Sequence, residues 1–536
     1  MLAAVLLVGI GYLSILPPFE GFDEYVHYSS VRQVADTRTV PIFGRSFIDQ
    51  TVVDYASHGP MPWSSGAPPF AGLGHMTYPS FFANPAAVAH YEVYRISPPQ
   101  ERFTPGADEN YEAQHPPLYY LLMAAIMRAA DGFSFVDQIL ILRLVSYTLA
   151  WTGFALGWYA TQSYSGKLIP QGAATGYLFF PFVVPMFFSE FARIGNDCLC
   201  LFLLGLAYIL SLAVFYRDDG GVAKPVTLGV ILGLGLLTKA FFIPIIAGYS
   251  LFIALRAWQV RHLHAMLCRQ LSILGLVIVP ALILGGGWYV YDFIAYGSPT
   301  GSAEAIWLAQ NGGLFGNLLQ KFSVYVLIHN VIAIAVSWSW AGSWSLVRMS
   351  PVLHFPLLLV TGWILANYLV FARRYDYGNP IWLPVWLVAP FLGGLLYHAL
   401  VVIAEGTGGT PGWYLHILAP FLALAMGYGI ECIRMNEVGR LLLVPALAYS
   451  FLFLLLALWS QMALFAGCAI KNEEKLYQFS GPWFCLDRVS EVAGRVGIVG
   501  WPLIAALSIG CGFFCLLIGF FSAVGQVRSS DPGRPS

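Results

Sequence analysis

The sequence predicts an all-α polytopic membrane protein of about twelve transmembrane helices, with a long first extracytoplasmic loop that carries interfacial helices. Three observations point there. Of 536 residues, 58% are apolar and only 10% charged, against roughly 25% charged in a soluble domain. Mean hydropathy is +0.69. Phe, Trp and Tyr make up 15%, the mix that builds aromatic belts at membrane surfaces. The net charge of −1 advertises neither nucleic acid nor an anionic surface as a partner. No soluble domain, internal repeat or low-complexity tract stands out.

A span needs about 20 mainly apolar residues. Suitable runs lie at 2–17, 138–162, 168–188, 198–216, 225–238, 241–256, 269–291, 353–372, 381–404, 413–432, 441–467 and 498–524. The first has no basic n-region, so it reads as a first span rather than a signal peptide. Residues 118–130 would rise only about 20 Å as a helix, too little to cross, and read as an interfacial helix. Residues 322–344 carry His329 and Asn330 and end in the Trp-rich run SWSWAGSW. That suits a helix and turn at the membrane surface.

The charges give this layout a direction. With the N-terminus inside, the short cytoplasmic turns hold Lys167, Arg217, Lys224, Arg256, Arg261, Arg269, Arg373, Arg374, Arg434 and Arg440, and the tail adds Arg528 and Arg534. Every cytoplasmic turn is then basic, as the positive-inside rule requires. The chain divides into a first span at 1–17, an outer loop at 18–137 and a bundle at 138–291. An outer loop with an interfacial helix follows at 292–352, then a second bundle at 353–524 and a tail at 525–536. Most unusual polar residues fall on the outer side: Glu20, Asp23, Glu24, His27, His115, Glu190, Arg193, Asp197, Lys239 and His416. A transporter would instead place polar groups near the bilayer midplane, on broken helices in paired repeats.

Four constellations carry chemistry-bearing residues. The run 17–27 (PPFEGFDEYVH) follows the first span, and its prolines end that helix. Asp23 and Glu24 then open a new helical run, where carboxylates also favour the helix N-terminus, and Asp23 shares a face with His27. These acids read either as an N-cap or as a general base with a metal or hydrogen-bond ligand. The run 112–120 (EAQHPPLYY) holds His115 extended before two prolines. It is a helix start in the plain reading, while Gln114 and His115 are also placed to donate to a phosphate. The run 190–197 (EFARIGND) opens a span with Arg193, Asn196 and Asp197, and 233–239 (GLGLLTK) ends one on Lys239. Arg143 lies about two turns inside the second span. A lone cation at such depth snorkels, pairs with a carboxylate or binds an anion. Three cations on one side favour a lipid phosphate or pyrophosphate guest.

Taken in order, these motifs resemble the GT-C glycosyltransferases, multi-span enzymes that draw sugar from a polyprenyl-phosphate donor. The resemblance runs from residue 17 to about 420. It includes 288–299 (WYVYDFIAYGSP) and 412–420 (GWYLHILAP), and is nearest to bacterial members with a PP-x4-DE-x2-H signature. It implies a bacterial inner-membrane enzyme with an outward-facing site. Asp23 would deprotonate an acceptor hydroxyl, with Glu24 its partner or, together with Asp23, a ligand for a divalent cation (Mg or Mn) that some branches use. His115, Arg143, Arg193, Lys239 and His416 would hold the donor phosphate, supported by His27, Gln114, Asn196 and Asp197. Trp413 stands where relatives often carry arginine, which leaves His416 to take over that contact or marks a different branch. The acceptor would be a lipid, a glycan or a protein, with membrane lipids and other membrane subunits as further partners.

The first loop also holds Asp49, Asp54, His58, His75 and His90, irregularly spaced for zinc and better suited to shaping an acceptor pocket. Cys468 and Cys485 bracket the last outer loop and are spaced for a disulfide. Cys198, Cys200, Cys511 and Cys515 read as packing residues, and Cys268 and Cys432 as free cytoplasmic thiols. Two alternatives stay open beside the transferase: a lipid-linked-glycan transporter, and a non-catalytic GT-C-like scaffold subunit.

Overall fold

Apolar runs with no water to serve their backbone must close their hydrogen bonds within helices, and most of the runs do so. The computed structural model describes residues 1–62, 76–99, 101–217, 221–298, 300–406, 409–480 and 507–519. Among these, eight helices are long and apolar enough to cross a membrane: Phe135–Ser163, Asp197–Tyr216, Phe242–Gln259, His264–Tyr296, Pro351–Ala372, Pro380–Glu405, Gly412–Arg434 and Glu437–Phe465. The pair Gly313–Lys321 and Val324–Ser339, bent by 105°, would make a ninth if counted as one span. The chain is an integral membrane protein of the all-α polytopic class.

The remaining runs depart from a simple reading as spans. Residues 2–17, 225–238 and 498–524 hold the shorter apolar helices Leu2–Ile15, Ala223–Leu236 and Leu507–Gly519, the last of these runs lying partly outside the described residues. The run 168–188 is not one helix. It breaks into Gln171–Tyr177, Phe180–Val183 and Met186–Phe191, because Pro181 and Pro185 cannot donate to the helical ladder and crowd the preceding turn. Such a break is tolerated because protein, not lipid, surrounds it: every residue from Phe180 to Val183 and from Met186 to Phe191 is buried. The interfacial candidate 118–130 forms the twelve-residue helix Leu118–Ala129. Two short antiparallel pairs, Phe47–Asp49 with Pro105–Glu109 and Ala469–Lys471 with Tyr477–Phe479, pin the loops that hold them.

Helices Phe135–Ser163 and Asp197–Tyr216 pack backbone against backbone. A Cβ on Gly205 would lie 2.2 Å from the Gly153 carbonyl oxygen, so both backbones need glycine there. Helix Gly412–Arg434 is almost wholly enclosed, whereas His264–Tyr296 faces outward along most of its length. The loops at 76–109 and 340–350 converge on Glu20. Its carboxylate accepts from Tyr78 and from the Ser345 backbone and hydroxyl (2.6 Å for the latter), while its carbonyl accepts from Trp344 N at 2.8 Å. That latch ties the segment after the first helix to the Trp-rich turn. Cys468 is disulfide-bonded; Cys485 lies outside the described residues. The other described cysteines, Cys198, Cys200, Cys268, Cys432, Cys511 and Cys515, are free.

Candidate functional site

The site is built on the turn that follows the first helix. A helix C-terminus leaves carbonyls without partners, and here a distant arginine serves them. Arg143, fully buried in helix Phe135–Ser163, donates to the carbonyls of Leu16 (2.5 Å) and Pro17 (2.7 Å). Its Nε donates to Glu24 Oε1 at 2.6 Å, and its Nη2 contacts Glu24 Oε2. Glu24 accepts in addition from the backbone N–H of Phe19 (3.0 Å) and Ile194 (3.1 Å). This corrects two expectations. Arg143 spends its donors inside the protein and does not face a phosphate, and Glu24 is a structural anion with no free face for a metal or substrate. The two residues hold the 17–24 turn in place.

Asp23, one residue earlier, is left outside this arrangement. Its φ of +54° lies in the left-handed region, a conformation that costs a non-glycine residue roughly 1–2 kcal/mol. Its half-buried carboxylate shares none of the partners of Glu24: Tyr111 donates to its Oδ1 at 2.5 Å. The two acids therefore do not form a chelating pair, and no group of three or more His, Cys, Asp or Glu suited to a metal exists among the described residues. The divalent cation expected of Asp23 and Glu24 does not fit this geometry. Burial, helped by the negative charge of Glu112, raises the Asp23 pKa to about 6, against the pull of Tyr111, Arg193 and Lys239.

The segment before helix Leu118–Ala129 supplies the next wall. Tyr111–Gln114 is a 3₁₀ turn, so Glu112 and His115 fall on one side of it. Glu112 Oε2 lies 2.7 Å from His115 Nε2 and 3.8 Å from His27 Nε2. Burial alone would raise the Glu112 pKa, but the groups around it, His115 first, outweigh it and lower the carboxyl. His27 Nδ1 pairs with the Tyr120 hydroxyl at 2.9 Å, and burial depresses the pKa of its ring to about 3, keeping it neutral. Gln114 accepts from Ala303 N at 2.7 Å; its oxygen anchors the 300s segment and is not spare for a ligand.

Opposite stand the cations. Lys239 donates to both carboxylate oxygens of Asp197 at 2.9 Å and packs over the Phe241 and Tyr414 rings, 4.5 and 5.2 Å from their centroids. Burial would discharge its ammonium, yet Asp197 and Glu112 more than offset this and raise its pKa above the ordinary range. Arg193 donates to Phe22 O (2.7 Å), Glu190 Oε1 (2.7 Å) and Asp197 Oδ2 (3.2 Å). Burial lifts the Glu190 pKa to about 8, against the pull of Arg193 and Lys239. Both cations also act on Asp23 and favour its ionised form. Asn196 is fully buried beside them, and neither polar atom of its amide finds a hydrogen-bond partner.

The remaining candidates fall elsewhere. His416 is fully enclosed and donates through Nε2 to the Trp338 carbonyl at 2.8 Å; it secures the Trp-rich turn and departs from the expected phosphate contact. Trp413 stacks on Phe22 at 4.7 Å. In the first loop Asp49 pairs with Arg32 at 3.0 Å, and His58 stacks on His90 at 4.0 Å; His75 lies outside the described residues. A cleft of about 730 Å³ lined by Arg32, Asp36, Arg102 and Arg128 opens near the far ends of helices Glu24–Thr37 and Leu118–Ala129, and Asp23 is not in it. Tyr111 lies outside every motif read from the sequence, while Glu112, Glu190 and Tyr414 lie within the runs 112–120, 190–197 and 412–420 without an assigned role. For Glu112 the x-x spacing to His115 is a signal, since residues three apart meet on a 3₁₀ turn.

No family model matches the chain, and no curated protein does either. Among solved structures it is similar to ArnT from Cupriavidus metallidurans bound to undecaprenyl phosphate, at 14% identity over 98% of this chain and 77% of that one, with a TM-score of 0.45. It is also similar to the Archaeoglobus fulgidus oligosaccharyltransferase solved with zinc and sulfate, at 13% identity over 85% of this chain and 54% of that one, TM-score 0.41. The archaeal AglB from the same organism, in complex with an inhibitory peptide and a dolichol-phosphate, gives 13% identity, 92% and 64% coverage, and a TM-score of 0.36.

Proposed function

We propose that this chain is a glycosyltransferase that moves a sugar from a polyprenyl-phosphate donor to a hydroxyl of a lipid, glycan or protein acceptor, at the outer face of a bacterial inner membrane. One observation carries the reading: the Asp23 carboxylate, held by Tyr111 and raised to about 6, lies within electrostatic reach of the buried cations Lys239 and Arg193. A base tuned near neutral pH beside an anion-stabilising wall is what transfer from a phosphate leaving group requires.

In this mechanism Asp23 takes the proton of the acceptor hydroxyl as its oxygen attacks the anomeric carbon. The bond from that carbon to the phosphate oxygen breaks, and its electron pair leaves with the polyprenyl phosphate. Lys239, Arg193 and His115 neutralise the charge that develops there. The proton on Asp23 returns to water between turnovers. Because the leaving group is already a stabilised anion, the site needs charge neutralisation more than a strong general acid.

The test replaces the base. Asp23→Asn, assayed in detergent with a prenyl-phosphate sugar, should lower kcat at least a hundredfold, in line with loss of general-base catalysis, while donor affinity changes less than threefold. Full turnover in that variant would sink the assignment. A scaffold subunit would instead show no glycan change on replacement of either Asp23 or Lys239, only altered recovery of partners.

A further inference from the structure

One short turn is fixed more rigidly than its length would require. Asn110 donates from Nδ2 to Val26 O and Ser30 Oγ, both at 3.1 Å, and its own N–H reaches Ser46 O at 2.9 Å. Its Oδ1 accepts from Glu112 N at 3.0 Å, capping the turn, and Tyr120 donates to the Glu112 carbonyl at 3.4 Å. The Glu112 side chain, itself buried, therefore projects from a backbone bound at several points to helix Glu24–Thr37 and helix Leu118–Ala129.

An acid and a histidine three residues apart often make no more than a local ion pair, worth little when exposed. This pair differs in asymmetry. Glu112 is enclosed, whereas His115 is partly open, with side-chain exposures of 9% and 16%. His115 turns Nε2 toward Glu112 Oε2 at an ion-pair distance of 2.7 Å, short of hydrogen-bond geometry, and the His27 ring lies nearly parallel to it with centroids 6.4 Å apart. Its Nδ1 has no hydrogen-bond partner among the described residues.

We propose that Glu112 is a positioning residue, which holds the His115 imidazole through Nε2 so that Nδ1–H is presented to an oxygen of the donor phosphate. The carboxylate stands at one ring nitrogen and leaves the other for the phosphate. Metal-binding histidines use the same logic, a carboxylate on the far nitrogen setting the orientation of the ring. The inference rests on the transferase reading and extends it to how the phosphate is gripped. The lowered pKa of Glu112 agrees with it, since an ionised carboxyl is the form that attracts the ring.

The experiment is a double-mutant cycle on the full-length protein in detergent, with undecaprenyl phosphate as the probe. Glu112→Gln and His115→Ala should each weaken binding about tenfold, the scale of one charge-assisted hydrogen bond. The double variant should bind within about threefold of His115→Ala alone, because one residue acts through the other. Losses that multiply to about a hundredfold, or undiminished binding by Glu112→Gln, would overturn the proposal. Glu112→Asp, which keeps the charge but shortens the reach, should recover affinity partway, and it replaces the first variant should Glu112→Gln not fold. Wild-type protein that fails to bind undecaprenyl phosphate would overturn the transferase reading itself, an outcome distinct from missing coupling.

Discussion

At the residue scale, two adjacent acids have opposite fates. Glu24 is locked by Arg143 and by the backbone N–H groups of Phe19 and Ile194, while Asp23, turned by a left-handed φ, stands outside that arrangement. Residues held in such conformations cluster where function needs them. The raised Asp23 pKa has two consequences of defined sign. A base must be ionised to act, so kcat/KM should rise with pH through a limb near 6. Tyr111 stabilises the ionised form, so Tyr111→Phe should move that limb about one pH unit upward, the equivalent of one hydrogen bond to a charged group; an unmoved limb in the pH–rate profile would dissociate Tyr111 from the base. The folded state also holds the Asp23 proton more tightly than the unfolded chain does. Its charge therefore costs stability that grows as pH rises from about 4 to above 6. The inactive Asp23→Asn should accordingly unfold no earlier than wild type at pH 7.5, as read from thermal unfolding.

At the element scale, the site depends on one helix end being closed by another helix. Arg143 lies in Phe135–Ser163 yet completes the C-terminus of Leu2–Ile15, satisfying Leu16 and Pro17 carbonyls that the prolines leave open. Removing one partner of a buried pair leaves the other charge uncompensated, typically at about 3–5 kcal/mol. Arg143→Met should therefore lower the thermal midpoint by several degrees, and adding Glu24→Gln should restore part of the loss. Equal midpoints for Arg143→Met and wild type would show that the pair carries no such weight. The composition of these elements was plain in the residues: eight apolar runs became long helices, and EAQHPP announced the turn and helix start at 111–118. The broken run 168–188 was not, because its apolar content matches a span and only its prolines, whose effect depends on burial, forecast the breaks.

At the scale of the whole molecule, the basic turns and the polar cluster sit at opposite ends of the helices. This separation underlies the proposed orientation, with Asp23 outward and the turn near Cys268 inward. Cys268 is exposed and free. In whole cells a membrane-impermeant maleimide should leave Cys268 unlabelled but label a cysteine placed at the exposed Thr104 of the first loop. The reverse pattern would invert the topology and move the site to the cytoplasm.

The sequence by itself determined the class of the molecule, since apolar runs of about 20 residues can satisfy their backbones in a membrane only as helices. It also determined which segments bring acids, histidines and cations near one surface: 17–27, 112–120, 190–197 and 233–239. Tertiary structure alone decided which members of that set are free to act. Arg143 pairs with Glu24 across 119 positions, and Tyr111 with Asp23 across 88. Contacts at such separation leave no periodicity in the chain. They exist only once the helices have packed, and there the partner each charge finds decides whether it holds the fold or faces a ligand.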